Sequence, residues 1–529
     1  MVQVLPEDEN GAETARLRDS SEPQRQTVTR SDGATASEKN LKKLCDRSFL
    51  SLWSYPGVFR DQGRNGGKGD GKEVCDLLVI FENHVIIFSD KHIQFDDSGN
   101  TEVGWGRWYR KAVLKSAQQV WGAERWIRQF PDRLFLDRQC SMPLPVTLPD
   151  PAHAVFHRIV VAHGASRACH DRMGGSGSLM LDKHVVGNEH LAHPFTLGRI
   201  DADEGYVHVF DDTSLNVLMT YLDTISDFVG YLTKKEKLLE SGIHVLAAGE
   251  EELLAEYVSK LNDGHEHDFV FPGDTDGILL EEGGWAKFLA SEERRAQAAA
   301  NEISYSWDQL IEKFLYHLMS GTQYEASHAE IREQEKSFRW LARENRTRRR
   351  MLARAIHVLL EKTPPDYRAS RVVQPSRPGD PYYLFLLLPR YPTIEAKEYR
   401  RVRSGLLREY CMVVRLHYPD AQHVIGIATE PLDGDENRSE DFIHLDATKW
   451  DAECDRQARS SKRDLGIFTN VKVFAGREDE YPVDEKETRR IPVSRNSPCF
   501  CGSGKRFKKC HGLGMFSKKK GKIFKKAKS

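Results

Sequence analysis

No run of this chain approaches the roughly 18 consecutive apolar residues that a membrane-crossing helix needs, so no membrane partner is expected. The opening MVQVLPEDENGAETARLRDS lacks the basic start and apolar stretch of a secretory signal, which points to a cytoplasmic protein. Cysteine is sparse: Cys45, Cys75, Cys140, Cys169, Cys411 and Cys454 are scattered, and only the last three of the nine cluster. That distribution excludes a disulfide framework and fits a reducing compartment. Several common signatures are missing as well. There is no GxxxxGK[ST] phosphate loop, and the glycines around Ser176 lack the strand–turn–helix setting of a nucleophile elbow. His184, His190 and His193 are not at the spacing of a common zinc signature, and His265 and His267 sit in a polar run expected to be a solvated loop. No internal repeat is visible, which argues against a solenoid.

What is present is a 529-residue chain of ordinary globular composition, 39% hydrophobic and 29% charged, long enough for two to four domains. Its net charge of -2 is unevenly spread. From Lys505 to Ser529 there are 11 Lys or Arg and no acidic residue, so the rest is net acidic. Lys518, Lys519, Lys520, Lys525 and Lys526 in this tail are candidate contacts to a phosphate backbone.

Just before the tail, Cys499 and Cys501 are separated by one residue, a Gly502-Ser503-Gly504 turn follows, and Cys510 and His511 are adjacent. Three thiolates and an imidazole suit tetrahedral zinc, and with every ligand supplied by protein the site should be structural. A unit this small would draw its folding energy from the metal. CFCGSGKRFKKCH resembles the SEC-C motif, with histidine at the last ligand position. The resemblance implies a zinc knuckle that docks a protein partner or lies close to nucleic acid.

Near the N-terminus the pattern is different. Leu41, Leu44, Phe49 and Leu50 predict a helix, followed by a turn at Pro56-Gly57 and the glycine-rich stretch DQGRNGGKGDGK. Two apolar runs, Val74–Phe81 and Val85–Lys91, read as strands joined by a short turn. An amphipathic helix is expected from about Gly106 to Phe130, a strand over 133–137, and another over 157–162.

This order, with Asp76 on one strand and Lys91 closing the next, resembles the PD-(D/E)xK nuclease fold, also called restriction-endonuclease-like. The resemblance implies carboxylates that hold Mg²⁺ or Mn²⁺, a metal-activated water and a lysine that offsets phosphate charge. Asp76 takes the first carboxylate position, after Cys75 where the family has proline. Lys91 takes the lysine position. Ser89 stands where the family has Asp or Glu, and alternation turns Asp90 away from Lys91's face. Glu102, at the approach to the helix, is the preferred replacement carboxylate. Glu124 is expected at the surface, and Glu73 is a candidate third site carboxylate, although its offset of three from Asp76 puts it on the opposite strand face. Lys115, Ser116 and Gln119 on the helix suit phosphate contacts, while Trp105, Trp108 and Tyr109 read as packing.

The expected organisation is a multidomain α/β protein. Residues 1–38 are disordered, 39–200 form the nuclease-like domain, and 201–365 a mixed, largely helical middle. Residues 366–490 form a small α/β domain, 491–515 the knuckle and 516–529 the basic tail. Strands are expected near 206–211, 243–247, 382–388, 411–416, 423–428 and 442–446, and the arginines at 346, 348, 349 and 350 on a solvated helix face. Two functions compete. One is a nuclease acting on DNA or RNA, with a bacterial defence role implied only by the resemblance. The other is a non-enzymatic adaptor that docks through the knuckle and tail. Nothing in the sequence sets the oligomeric state.

Overall fold

A computed structural model describes residues 26–61, 71–326, 328–391, 393–432, 438–475, 478–482, 491–492, 496, 505–506 and 509. The chain enters through helix α1 (Ala36–Phe49), started by a capping box in which Thr35 accepts from the Glu38 N–H and the Glu38 side chain reaches back. Leu41, Cys45 and Phe49, four residues apart, form its buried face. The expectation of disorder to residue 38 fails over its last part. The Val28 N–H donates to the Met319 carbonyl, and Arg30 pairs with Asp46 at 2.7 Å, so an extended segment is pinned to the body before α1 begins.

Strands β1 (Ser54–Arg60), β2 (Lys72–Phe81) and β3 (His84–His92) form an antiparallel meander. Leu77–Phe81 and Val85–Asp90 are buried without a break, as continuous apolar runs covered on both faces should be. Helix α2 (Thr101–Trp108) passes through a π-helical stretch, Tyr109–Leu114, into α3 (Lys115–Gln129). This crossover brings β4 (Val155–His163) parallel to β3. The strand expected over 133–137 reduces to isolated bridges of Phe135 with Phe59 and Pro143.

After α4 (Ser166–Met173), β5 (Met180–Val186) and β6 (Thr196–Arg199) leave for a second sheet. β7 (Val207–Phe210) then returns to lie parallel to β4, so the first sheet, ordered β1-β2-β3-β4-β7, extends past the boundary expected at 200. Helices α5 (Asp212–Tyr221) and α6 (Ile225–Glu240) follow, then β8 (His244–Ala247), α7 (Glu250–Val258) and β9 (Gly277–Leu280). The second sheet has the order β6-β5-β8-β9.

Helices α8 (Gly284–Ala290), α9 (Glu292–Asn301), α10 (Tyr305–Ser320), α11 (Ile331–Ala342) and α12 (Arg346–Lys362) make up the middle. The arginines of α12 are not solvated: Arg349 and Arg350 are fully buried. Arg346 donates to Asp223 at 2.8 Å and to Asp308 at 2.7 Å, and Arg349 donates to the other oxygen of Asp308 at 2.7 Å. Their partners come from other elements, so charge density along the helix reports ion pairing rather than exposure.

The third sheet is β10 (Ala369–Val373), β11 (Tyr382–Leu387), β12 (His423–Thr429) and β13 (Asp441–Asp446), with β11 and β12 parallel and the outer pairs antiparallel. Between β11 and β12 runs α13 (Ala396–His417), and α14 (Ala452–Asp464) packs on it. The strand expected over 411–416 belongs to α13. Leu407, Cys411 and Val414 recur at helical spacing and are buried, and tertiary packing overrides their strand preference. Gly426 lets α13 approach: a Cβ there would lie 2.6 Å from the Cys411 sulfur. No helix among the described residues is long and apolar enough to cross a membrane.

Candidate functional site

The carboxyl ends of β3 and β4 carry the groups the sequence singled out. Asp76 lies on β2, and its Oδ2 accepts a 2.6 Å hydrogen bond from the Asp90 N–H on β3. Burial, opposed by that hydrogen bond, raises its carboxyl to about 6, with the charges of Glu38 and Asp90 adding and the Ser89 hydroxyl subtracting. Glu73, nearer the start of the strand and more exposed, is raised to about 7 by partial burial and by Asp76 and Glu38. Carboxylates that resist ionisation in one another's presence mark uncompensated negative charge.

Ser89 is fully buried, and its hydroxyl donates to Gln119 Oε1 of α3 at 3.3 Å. Asp76, Ser89 and Gln119 therefore meet on the α3 side of the sheet. Lys91, two residues beyond Ser89 on the same strand face, is exposed, and no ion pair holds it among the described residues. Lys115 is exposed on α3, whereas Ser116 is buried.

Two expectations about carboxylates change. Glu102 sits in the first turn of α2 with an exposed side chain, while its backbone N–H donates to Asn100 at 2.8 Å. A helix starting at Thr101 spends Glu102 on the amino-terminal turn, the ordinary place for an acidic residue. Glu124 is buried, not at the surface: it pairs with Arg128 at 2.9 Å and with Arg158 of β4. Glu38 is the residue that sequence reasoning missed. The signal for it was the Thr35-x-x-Glu38 capping pattern, which fixes a carboxylate at the amino end of α1.

Asp90 faces the other way, as alternation requires. Its buried carboxylate lies 2.9 Å from His163 Nε2, and His163 Nδ1 contacts Asp212 at the start of α5. Asp212 also accepts from the Gly164 N–H at 3.2 Å. Burial alone would lower the His163 imidazole, but the hydrogen bonds and charges of Asp212 and Asp90 override it and raise it to about 9. His92 stacks on the ring at 5.9 Å. This Asp–His⁺–Asp assembly ties the ends of β3 and β4 to α5.

The donor chemistry fits Mg²⁺ or Mn²⁺. Both ions take hard carboxylate oxygens, and Mg²⁺ is content with one or two of them plus waters. Asp76 is a half-buried group of this kind on the α3 side, with Glu73 and Glu38 close enough to perturb it or be perturbed by it.

Cys499, Cys501, Cys510 and His511 lie outside the described residues, as do Lys518, Lys519, Lys520, Lys525 and Lys526. The SEC-C motif family matches residues 495–513, a stretch that contains all four candidate ligands and belongs to a motif commonly associated with zinc. No curated protein and no solved structure matches the chain.

Proposed function

We propose that this protein is a metal-dependent nuclease that hydrolyses phosphodiester bonds of DNA or RNA, with a restriction-endonuclease-like core spanning β1 to β4 and a zinc knuckle that docks it. One observation carries the reading. A carboxylate raised to about 6, Asp76, lies on β2 beside β3, whose carboxyl end presents an exposed lysine, Lys91, with no ion pair among the described residues. The meander continued by a parallel strand through a long crossover helix supports the same reading, since it sets these groups at the carboxyl end of β3.

In this reading Asp76, with Glu73 or Glu38, would hold the divalent ion, which when bound supplies a water of lowered pKa and stabilises charge on the phosphate. Lys91 binds a non-bridging phosphate oxygen and offsets its charge. Gln119 accepts from the Ser89 hydroxyl and fixes that side chain beside Asp76, whose carboxylate the Asp90 N–H holds in place. Lys115 on α3 meets the backbone of the nucleic acid.

The test is cleavage of labelled duplex DNA, single-stranded DNA and RNA with Mg²⁺, Mn²⁺ or EDTA, beside Asp76→Ala and Lys91→Ala. Metal-dependent cleavage lost in both variants supports the proposal, and cleavage at the wild-type rate in both sinks it. The adaptor reading draws on Ser89 in place of a carboxylate and on the outward position of Glu102. It expects no cleavage, and salt-sensitive nucleic-acid binding that disappears in Cys499→Ser.

A further inference from the structure

The opposite end of the first sheet gathers a second set of ligand-type side chains, with no role in the chemistry above. His157 near the start of β4, His208 on β7 and Glu236 on α6 come from three separate elements and converge on one carboxylate oxygen. His157 Nδ1 lies 3.2 Å from Glu236 Oε1, and His208 Nε2 lies 2.7 Å from the same atom. One ligand atom from each residue falls within 4.8 Å of the other two. Bonds of about 2.0–2.2 Å in a tetrahedral zinc site put neighbouring ligand atoms roughly 3.3 Å apart, so these separations need only a small expansion to admit an ion.

Both imidazoles are fully buried. Two imidazoles and a carboxylate drawn from three elements are donor types that zinc takes. His84, at the start of β3, stacks on His157 with ring centroids 5.3 Å apart, and its Nδ1 is 3.1 Å from His157 Nε2. A ligating histidine gives its second ring N–H to an outer partner, and His84 Nδ1 lies where it can accept that proton. Without an ion, His157 Nδ1–H donates to Glu236 and His157 Nε2 accepts from His84. With an ion on Nδ1, the His157 proton moves to Nε2 and is donated to His84, which shifts its own proton outward. His208 moves its proton from Nε2 to Nδ1. Glu236 keeps 22% of its side chain exposed, leaving a way in and room for a water as fourth ligand.

We propose that His157, His208 and Glu236 bind a divalent first-row transition ion, zinc by their two-imidazole, one-carboxylate donor set, at the end of the sheet remote from Asp76. The ion ties α6 to β4 and β7. This inference does not depend on nuclease activity.

The test uses the full chain carrying Cys499→Ser and Cys501→Ser, which removes two thiolates of the terminal motif and leaves the histidine cluster intact. The protein is stripped with chelator, reloaded with Zn²⁺ or Co²⁺ and desalted, and its metal is counted by elemental analysis. One equivalent should remain. The Co²⁺ form should show weak visible bands without thiolate charge transfer, and Zn²⁺ should raise the melting temperature. Adding His208→Gln or, as the milder change, Glu236→Gln should cut the retained metal at least tenfold and abolish the shift in melting. Circular dichroism establishes that each variant is folded. A Cys499→Ser/Cys501→Ser protein that retains no metal overturns the proposal, whatever the other variants do. Metal retained undiminished in both folded cluster variants overturns it too.

Discussion

The first and third sheets are built alike and use buried charge in opposite ways. Each is a mixed sheet in which two parallel strands are joined by a long crossover helix. In the third, Arg403 of α13 is fully buried and completely partnered. It donates to Asp441 at 2.6 Å, to Ser439 at 2.9 Å through both the carbonyl and the hydroxyl, and pairs with Glu430 at 2.8 Å. In the first, Asp76 has neighbouring carboxylates and no ion pair among the described residues, and its ionisation is held back to about 6. A closed ion network of the first kind is fold chemistry; a one-signed cluster of the second kind leaves like charges to raise one another's pKa. The contrast lies in the completeness of pairing, not in burial, which both share.

Four measurements would break or sharpen this contrast. The largest effect is expected in the third sheet, where Arg403→Ala strands Glu430 and Asp441 and should destabilise the fold by about 3–5 kcal/mol in denaturant unfolding. A loss under about 1 kcal/mol would mean the network is not structural.

Next, Asp76→Ala should leave the fold intact and lower metal-dependent cleavage by at least about 100-fold, roughly 2.7 kcal/mol of transition-state stabilisation.

Third, Asp76→Asn should stabilise the protein. Because the folded value, about 6, exceeds the model-compound value of 3.8, the folded state holds more protons between them. Stability therefore falls as pH rises through that window, and the full cost remains above it. The substitution should gain about 2 kcal/mol at pH 8 and almost nothing at pH 4, by thermal melting. Equal effects at both pH values would deny the strained carboxylate.

The smallest effect concerns His163. Its imidazole is raised to about 9 from 6.5, so the stability it lends is complete below pH 6.5 and lost as pH rises through 9. Wild type should lose about 1 kcal/mol over that interval and His163→Gln should not.

How much of this was legible in the sequence follows from how local each signal is. The β2–β3 hairpin announced itself through two unbroken apolar runs, and with it the pairing of Asp76 with the Ser89–Lys91 strand. The outward turn of Asp90 followed from alternation alone, but its partners His163 and Asp212 did not, because they arrive from β4 and α5. Glu38 was missed because it falls in the stretch read as disordered; only the packing of α1 brings its charge to bear on Asp76. Arg346, Arg349 and Arg350 looked solvated because Asp223, Asp308 and, for Arg350, Glu478 are remote in sequence. The run 411–416 looked like a strand until Gly426 opened room for a helix to sit on β12. His157 and His208 carried no spacing signature, because a site assembled from two strands and a helix has none.

The late return of β7 decides how this protein can be taken apart. A fragment ending near residue 200 would keep Asp76, Lys91 and the whole meander, yet leave the outer hydrogen-bonding groups of β4 from Arg158 to Val161 without their neighbour. A bare strand margin of that kind recruits other chains, so such a fragment is expected to aggregate, whereas one extended through α6 would carry its own cover.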